Sequence, residues 1–289
     1  MTDGPQLFDP VKFKQGQRDQ WNNDAPAWER WSPILHGWLG HVSETMLALA
    51  ELQPGNRCLD IAAGTGELSL RAAERIGPGG HVLATDLSDK MIQIVQQAAT
   101  ERQLHNVEAR AMDGECRPLP ADDFDALFCR FALHLMPEPS RVLAGWRRVL
   151  KPGGRAVAAV WSTPDANPWA GVTIAAIRRR ARVPLRRVPG QSDLFSMGGG
   201  ALEIGLRVAG FDRVEIHRLA TPLRLASAQE FGALARFLFS GIDVMMARLP
   251  SAERELAWQE VDEAMRVFEN GGGFEVPAEA LVGVGVRTA

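Results

Sequence analysis

Tyrosine is absent from this sequence of 289 residues, lysine is scarce beside arginine, and cysteine occurs three times. Cys58, Cys116 and Cys129 form an odd set without the spacing of a metal site, so we predict no bound metal. Cys58 and Cys129 lie in apolar, strand-like runs, where a small buried thiol is expected. A reducing cytoplasm suits these thiols best.

Long apolar runs and strong net charge are missing as well. No run approaches the roughly 18 apolar residues of a membrane span, and the first ten residues lack the basic and apolar regions of a signal peptide. The net charge of −3 gives no reason to expect nucleic acid as a partner. With 46% hydrophobic residues, the chain can bury one large core, or one core plus a smaller unit.

Short apolar runs alternate with segments of helical period between residues 57 and 161. The predicted strands are RCLDIA, HVLATD, NVEARAMD, FDALFCRFAL and RAVAAVW, followed late in the chain by FDRVEIHRLA and ALVGVGVRTA. Ser88 is expected to cap the helix after the second strand. Strands that alternate with helices predict an α/β fold with a doubly wound, mostly parallel sheet of seven strands.

Two segments interrupt this alternation. Residues 1–50 are rich in tryptophan and are predicted to form an N-terminal helical cap. Residues 222–270 are predicted to form a helical insertion, which begins at Ser227 with Glu230 three residues on, a capping-box spacing. Its apolar residues at helical spacing are Phe231, Leu234, Phe237, Leu238, Ile242, Met245 and Met246. The α/β core then comprises residues 51–221 and 271–289.

The stretch CLDIAAGTGEL, residues 58–68, ends a predicted strand with Asp60 and a turn of small residues, 62–66. Small residues allow a ligand to approach the backbone, and the helix that begins near Glu67 points free N–H groups at it. The next strand ends at Asp86, whose carboxylate can accept hydrogen bonds from both hydroxyls of a ribose. This pattern favours a nucleoside over a simple strand-to-helix corner.

Two further strand ends carry polar residues. Asp113 and Gly114 follow the third strand, where an acceptor can meet the exocyclic amine of adenine, and Arg130 ends the fourth. Ligands of open α/β sheets bind at these carboxyl ends, so the four strand ends together predict an adenosine pocket.

A dinucleotide site uses part of the same logic. Its turn reads G-x-G-x-x-G, but the third position here, counted from Gly64, is Ser69. A pyrophosphate would be repelled by Asp60, whereas the α-amino group of an amino-acid tail would be attracted. The turn therefore argues against a nicotinamide cofactor.

The chain resembles the class I S-adenosylmethionine-dependent methyltransferases, in the branch that includes the ubiquinone/menaquinone C-methyltransferases. LDIAAGTGEL is similar to their first motif, and ATDLSDKM to their ribose-binding acid with its following helix. The block from AMDGECRPLP to LKPGGR is similar to the family's middle region. The resemblance is dense over residues 20–161.

The resemblance implies S-adenosyl-L-methionine as the cofactor and a Rossmann-like methyltransferase sheet. The implied cofactor contacts are Trp28, Asp60, Ala62, Gly64, Gly66, Asp86, Leu87, Met91, Asp113, Gly114 and Arg130. Asp60 and the turn would hold the methionine part, and Asp86 would bind the ribose. Leu87, Met91, Asp113 and Gly114 would contact the adenine. Trp28 and Arg130 would approach the carboxylate end, although Arg130 equally suits a surface ion pair.

His134 lies on the loop that would face the methyl group, which makes it a candidate general base, or a histidine packed at a helix start. The phenylalanines and methionines of the insertion favour an apolar, aromatic or isoprenoid acceptor, methylated on carbon or oxygen. The arginine run at 177–187 suggests a solvated helix face, or alternatively a site for a carboxylate or diphosphate acceptor.

Other classes of protein stay open at this point. They are an NAD-dependent oxidoreductase, a non-catalytic nucleoside-binding protein, a nucleic-acid methyltransferase and an arsenic methyltransferase. The missing tyrosine and the acidic balance disfavour a nucleic-acid methyltransferase. An arsenic methyltransferase needs grouped exposed cysteines, and only Cys116 is expected near the site. The acceptor and its methylated atom are not fixed by these motifs, and the helical cap could double as a homodimer surface.

Overall fold

A seven-stranded sheet forms the centre of the protein, whose computed structural model describes residues 8–183, 193–240 and 243–288. The described strands are β1 (Arg57–Ile61), β2 (His81–Asp86), β3 (Val107–Ala111), β4 (Phe124–Arg130), β5 (Leu150–Trp161), β6 (Asp212–Ala220), β7 (Leu223–Leu225), β8 (Glu269–Asn270), β9 (Gly273–Val276) and β10 (Glu279–Val286). The large sheet has the order β3-β2-β1-β4-β5-β10-β6. β1 to β5 pair in parallel and β10 runs antiparallel to both neighbours, which confirms the predicted α/β fold.

The strand order reverses beside β1. The chain moves outward from β1 to β2 and β3, then returns to β4 on the other side of β1. Because Asp60 is in register with Ala84 of β2 and Phe128 of β4, these parallel strands end at one edge of the sheet. The residues predicted for the nucleoside pocket therefore share the edge where such sheets bind ligands.

Helices cover both faces of the sheet. They are α1 (Pro10–Leu49), α2 (Glu67–Ile76), α3 (Asp89–Glu101), α4 (Pro139–Val149), α5 (Pro168–Ala181), α6 (Ala201–Val208), α7 (Ala228–Leu238), α8 (Asp243–Met246) and α9 (Ser251–Met265). Ser88 Oγ accepts a hydrogen bond from Met91 N at 3.2 Å, which confirms the predicted cap of α3. None of the described helices is both long and apolar enough to cross a membrane.

Alternation along β4 builds a core on each face. Leu127 and Cys129 pack with Trp146 of α4, whereas Ala126 and Phe128 pack beneath α1 and α2. All five side chains are at most 1% exposed. The strand is thus covered on both sides, as expected for a parallel sheet with helices on each face.

The N-terminal cap is one 40-residue helix rather than the several helices predicted. Asp9 caps it by accepting hydrogen bonds from the backbone of Val11 and Lys12 at 3.0 and 3.2 Å. Pro26 and Pro33 lie inside α1, where each removes a backbone donor. The helix continues through both prolines, so these residues did not mark helix ends here.

Short strands accompany the predicted helices of the insertion, and one of them, β9, lies just beyond its predicted end at residue 270. β7, β9 and β8 form a separate three-stranded sheet, which is too short for an alternating pattern to reveal in the sequence. The predicted cap of α7 is confirmed, since Ser227 Oγ accepts from Glu230 N at 3.1 Å. The carboxylate of Glu230 in turn accepts a hydrogen bond from Ala226 N at 2.8 Å. Ile242 lies outside the described residues.

The buried phenylalanine of β4 provides a test of this packing. We expect Phe128→Ala to lower the free energy of unfolding by about 3–5 kcal/mol, because it removes a fully buried aromatic ring and leaves a cavity. Urea denaturation measures the change. Val208→Ala, on a side chain that is 77% exposed, is the control and should stay within about 0.5 kcal/mol of the parent. Equal effects of the two variants would contradict the assignment of this core.

Candidate functional site

The turn between β1 and α2 adopts left-handed backbone conformations at three of its five residues. Ala62 and Gly64 have φ of 56° and Gly66 has φ of 85°. A Cβ on Gly66 would lie 3.0 Å from Cγ2 of Val95, so both the backbone and α3 demand glycine there. A Cβ on Gly64 would meet no heavy atom within 4 Å. The backbone of the turn therefore faces open space at Gly64.

Asp60 lies in β1 directly before this turn and is 1% exposed. Ser69 Oγ of α2 donates a hydrogen bond to its carboxylate at 2.5 Å. Burial raises the pKa of Asp60 to about 7, although the Ser69 hydrogen bond and the charge of Arg130 act in the opposite direction. The residue that departs from the dinucleotide pattern, Ser69, is thus the partner of this acid.

Asp86 ends β2 and connects the two neighbouring strand ends. Its Oδ2 accepts from Gly64 N at 3.0 Å and its Oδ1 from Ser88 N at 2.8 Å. Burial raises the pKa of Asp86, while the backbone donors of Ser88, Gly64 and Leu87 oppose that shift. The carboxylate is 8% exposed, and a carboxylate has more acceptor sites than these three backbone donors fill.

Asp113 and Gly114 follow β3, as predicted, but Asp113 already has a partner from α1. Lys14 Nζ lies 2.6 Å from Asp113 Oδ2 and also contacts Glu115. Burial lowers the pKa of Lys14, but the two carboxylates more than compensate, so this pKa lies above its usual value. Asp113 keeps 41% of its side-chain exposure and can accept a further hydrogen bond.

The remaining predicted adenine contacts lie at the start of α3. Met91 is 2% exposed and packs in the interior, whereas Leu87 is half-buried. Trp28 lies on α1, with its ring 5.2 Å from that of Phe237 of α7. One helical turn on, Ser32 Oγ lies 3.5 Å from Thr65 Oγ1, so this part of α1 passes over the turn.

Arg130 ends β4 and is held by two residues that the sequence did not single out. Its Nη1 donates to Glu67 Oε2 at 2.6 Å and to Ser43 Oγ at 2.7 Å. Ser43 Oγ also donates to Glu67 Oε2 at 2.8 Å. Arg130 therefore makes an ion pair inside the site, because Glu67 is 5% exposed, rather than one at the surface.

His134 lies in a short 3-10 turn after β4 and is 4% exposed. Burial lowers the pKa of His134 to about 4, while the charge of Asp193 acts in the opposite direction. Its Nδ1 has no hydrogen-bond partner among the described residues. The imidazole is therefore neutral at pH 7 and has an unused ring nitrogen.

Aromatic rings form a continuous group beside the end of β5, which we call the aromatic cluster: Trp38, Phe131, Trp161, Trp169 and Phe239. The ring of Phe131 stacks on that of Trp161 with centroids 4.2 Å apart. Trp38, Trp161 and Trp169 contact one another at 4.9–5.4 Å. The cluster joins α1, the ends of β4 and β5, and the insertion.

Part of the arginine run is engaged by α9. Arg179 pairs with Glu260 at 3.0 Å, and Arg180 pairs with Glu253 and Glu260 at 2.8 and 2.9 Å. The last part of the run, residues 184–187, lies outside the described residues. These pairs confirm neither a solvated face nor an anion site for the whole run.

All three cysteines are free thiols and are fully buried, including Cys116. Burial raises the pKa of Cys58 and of Cys116 to about 12 and also raises that of Cys129. The exposed cysteine group of an arsenic methyltransferase is therefore not found in the described ranges. No cluster of three or more candidate metal ligands occurs there either.

The first half of α1 covers the edge where Asp86 and Asp113 lie. Besides Lys14, Asn22 Oδ1 accepts from Ser88 Oγ at 2.7 Å and from Lys90 N at 3.2 Å. Two cavities lie away from this edge of the sheet. One of about 260 Å³ borders Glu67, and one of about 500 Å³ lies between Trp38 and β7.

Sequence patterns missed several contacting residues. Glu67 carries a signal, because an acid directly after a glycine turn suits a helix N-terminus. Phe131, with φ of 55°, has none. Lys14, Asn22 and Ser43 also have none, because the path of α1 across the sheet is not encoded in local spacing.

The residues at the strand ends fit an adenosine with a charged amino-acid tail. The first N–H groups of α2 have no side-chain cap, and Gly64 beside them faces open space. Asp86 lies within hydrogen-bond distance of that same glycine. Backbone donors and an acidic acceptor thus meet at one open position.

Comparison with known proteins identifies relatives. Residues 58–154 match a family described as a methyltransferase domain. The chain is 36% identical over 148 residues to the demethylmenaquinone methyltransferase of Listeria monocytogenes serotype 4a, which covers 50% of this chain and 62% of that protein. The chain thus spans less than two thirds of that relative's length.

A second relative is covered more fully. The chain is 34% identical over 186 residues to the ubiquinone/menaquinone biosynthesis C-methyltransferase UbiE of Bordetella avium, covering 59% of this chain and 69% of that protein. The crystal structure of the YcgJ protein of Bacillus subtilis superposes with a TM-score of 0.61 at 19% identity, over 86% of this chain and 99% of that one. With the matched domain and the shared fold, these relatives show that the chain belongs to the class I S-adenosylmethionine-dependent methyltransferase family, in the branch of the ubiquinone/menaquinone C-methyltransferases.

Proposed function

We propose that this protein transfers a methyl group from S-adenosylmethionine to a small, apolar acceptor with an aromatic or isoprenoid part. The observation that carries the proposal is the convergence of Asp60, the open turn at Gly64, Asp86 and Asp113 at the reversal point of the sheet. The methyltransferase relatives support the same activity.

The proposed cofactor contacts follow the chain. The turn residues Ala62, Gly64 and Gly66, with Asp60, hold the methionine part through backbone N–H groups and one carboxylate. Asp86 accepts from the ribose hydroxyls, which requires the ribose to displace or share the bond from Gly64 N. The proposed adenine contacts are Leu87, Met91, Asp113 and Gly114. Trp28 and Arg130 are proposed at the carboxylate end.

The bound cofactor supplies an electrophilic methyl group on a positively charged sulfur. The protein must hold the acceptor in line with the bond that breaks and must exclude water. The leaving thioether needs no proton, so a base is required only when the acceptor loses one. We propose His134 for that step, because its buried imidazole is neutral at pH 7 and its Nδ1 has no described partner.

The aromatic cluster supports an apolar acceptor. It reaches from Phe131, after the end of β4, to α1 and the insertion. Other rings of α1 and the insertion also meet, since Trp28 and Trp31 contact Phe237 at 5.2 and 6.2 Å. The relatives are named a demethylmenaquinone methyltransferase and a ubiquinone/menaquinone biosynthesis C-methyltransferase, and we propose a quinone-type ring, methylated on carbon, as the acceptor here. Residues 1–50 and 222–270 serve as the cap over this acceptor.

The alternatives receive less support. A carboxylate or diphosphate acceptor would need free arginines in the run at 177–187, and Arg179 and Arg180 are paired with α9. The three buried free thiols are compatible with the proposed reducing cytoplasm. A homodimer through the cap stays a prediction.

The ribose contact gives the first test of the cofactor. We expect Asp86→Ala to weaken binding of S-adenosylhomocysteine by at least about 100-fold, because two charge-assisted hydrogen bonds are lost. Isothermal titration calorimetry measures the affinity, with melting temperature as a check on folding. The exposed Asp165→Ala should bind like the parent, and NADH should not bind. Binding of NADH, or no binding of the homocysteine product by the parent, would contradict the proposal.

Asp60 predicts a pH dependence of the same binding. The ligand's positive amino group favours the carboxylate, so a proton must leave Asp60 on binding below its pKa of about 7. Affinity should therefore rise with pH, by up to about tenfold per unit, until pH 7 and then level off.

Calorimetry in two buffers of different ionisation enthalpy should detect the released proton at pH 6. Asp60→Asn should abolish both the release and the slope, whereas Asp165→Asn controls for the lost charge. Equal affinities at pH 6 and 8 in the parent would show that Asp60 does not face the ligand's charge.

A substitution in the cap should change the KM for the acceptor. We expect Phe237→Ala to raise KM for an apolar aromatic acceptor about tenfold, because the ring contacts Trp28 and Trp31 of the cap. The affinity for S-adenosylhomocysteine should change much less, since Phe237 reaches the proposed cofactor contacts only through Trp28. Initial rates with a panel of acceptors measure this. Phe268→Ala, whose ring contacts Phe274 of the small sheet, is the control. Methylation of small polar amines alone would rule out the apolar pocket.

A further inference from the structure

A buried trio of side chains joins three elements at the methionine end of the proposed site. Arg130 comes from the end of β4, Glu67 is the first residue of α2, and Ser43 lies in α1. Glu67 Oε2 accepts from Arg130 Nη1 at 2.6 Å and from Ser43 Oγ at 2.8 Å, and Ser43 Oγ accepts from the same Nη1 at 2.7 Å. Ser43 and Glu67 are 0% and 5% exposed.

The guanidinium of Arg130 donates to Glu67 and Ser43 through one nitrogen, Nη1. Among the described residues, none accepts a hydrogen bond from Nε or Nη2 of Arg130, and its side chain is 19% exposed. Arginine donates in a planar fork that matches a carboxylate. Fixing Nη1 therefore sets the direction in which the remaining donors point, without using them.

Glu67 is shared between two guanidinium groups. Glu67 also lies 2.5 Å from Arg71 Nε, so two guanidinium groups flank its single carboxylate. Arg71 and Arg75 share Glu44 on the outer side. The charge of Glu67 is therefore divided between two arginines, and the buried carboxyl group of Asp60 also lies close enough to Arg130 for the two to interact.

An arginine that only links structural elements can use more than one of its nitrogens for that purpose. Arg155, for comparison, donates to the backbone of Leu49 at 3.2 Å and lies 2.5 Å from Glu51 through a second nitrogen. Burying an ion pair is weak evidence for stability, since the desolvation of both charges offsets the attraction. The half-used Arg130 is better explained by a ligand that completes it.

We propose that Ser43 and Glu67 are positioning residues that aim Arg130 at the carboxylate of the cofactor's amino-acid tail. The trio then selects nucleosides that carry such a tail over those that lack it. This inference rests on the proposed function, because it assumes that the tail lies at the end of β4.

The test compares two ligands that differ in the tail. S-adenosylhomocysteine carries the amino-acid carboxylate, and 5′-methylthioadenosine has the same nucleoside and sulfur without it. We expect Arg130→Met to weaken binding of the first about 10- to 100-fold and of the second less than about threefold. Glu67→Gln and Ser43→Ala should weaken the first selectively by about 3- to 10-fold, because a misdirected arginine loses part of its fork.

Arg155→Met is the matched control and should change neither affinity. Arg130→Lys should recover part of the selectivity, since it retains charge but not the fork. If Arg130→Met does not fold, the affinities of Ser43→Ala and Arg130→Lys for the two ligands are compared instead. Equal losses for both ligands, or an unchanged ratio in every variant, would overturn the inference and leave the proposed function intact. Failure of the parent to bind either ligand would overturn both.

Discussion

The hydrogen bond from Gly64 N to Asp86 Oδ2 ties the ends of β1 and β2 together, and the geometry of the site depends on it. It fixes the turn after β1 and with it the direction in which α2 leaves. The start of α2 then brings Ser69 over Asp60 and Glu67 to Arg130. A short turn therefore aligns three carboxylates and one guanidinium at a single edge. Because Asp86 is itself proposed to accept from a ribose, the residue that organises the turn is also one that a ligand would engage.

The two halves of α1 are held to the rest of the protein by different kinds of contact. Its second half packs Val42, Met46 and Leu47 against the sheet, which anchors the helix through buried apolar contacts. Its first half is held to the sheet edge by polar contacts, through Lys14 and Asn22. Polar contacts with partly exposed partners contribute little free energy compared with apolar burial. The first half also makes an apolar contact with the insertion, through the rings of Trp28 and Phe237.

Sequence patterns predicted the sheet and the strand ends well, for a physical reason. A parallel strand covered on both faces needs an apolar run, and a turn with left-handed residues needs glycine or a small side chain, so both leave local traces. Gly66 shows this directly, since its φ and the nearby Val95 each exclude a side chain. The caps at Ser88 and Ser227 were predictable in the same way, because a capping hydroxyl and its backbone partner lie three residues apart.

Contacts between distant segments leave no such trace. Lys14 and Asp113 are far apart in the chain, and no spacing rule joins them. The same holds for Ser43 with Arg130. The small sheet of β7, β8 and β9 was missed because strands of two to four residues show no period. Pro26 and Pro33 lie inside the continuous α1, so tertiary packing there overrides the local tendency of proline to end a helix.

The electrostatics of the site bear on the kind of chemistry that it can support. The acids proposed for the cofactor lie toward β1, β2 and β3, whereas the rings of Phe131 and Trp161 stack at the ends of β4 and β5, and His134 lies in the turn after β4. A positively charged sulfur would thus lie between carboxylates on one side and aromatic faces on the other, both of which stabilise a cation. The charge disappears from sulfur as the methyl group leaves, so strong stabilisation of the sulfonium alone would slow transfer. An acceptor that is itself electron-rich, such as a hydroquinone-type ring, offsets this by supplying the developing bond from the aromatic side. A buried imidazole with a pKa near 4 is a weak base, which suits an acceptor whose proton becomes acidic only after its carbon has been methylated.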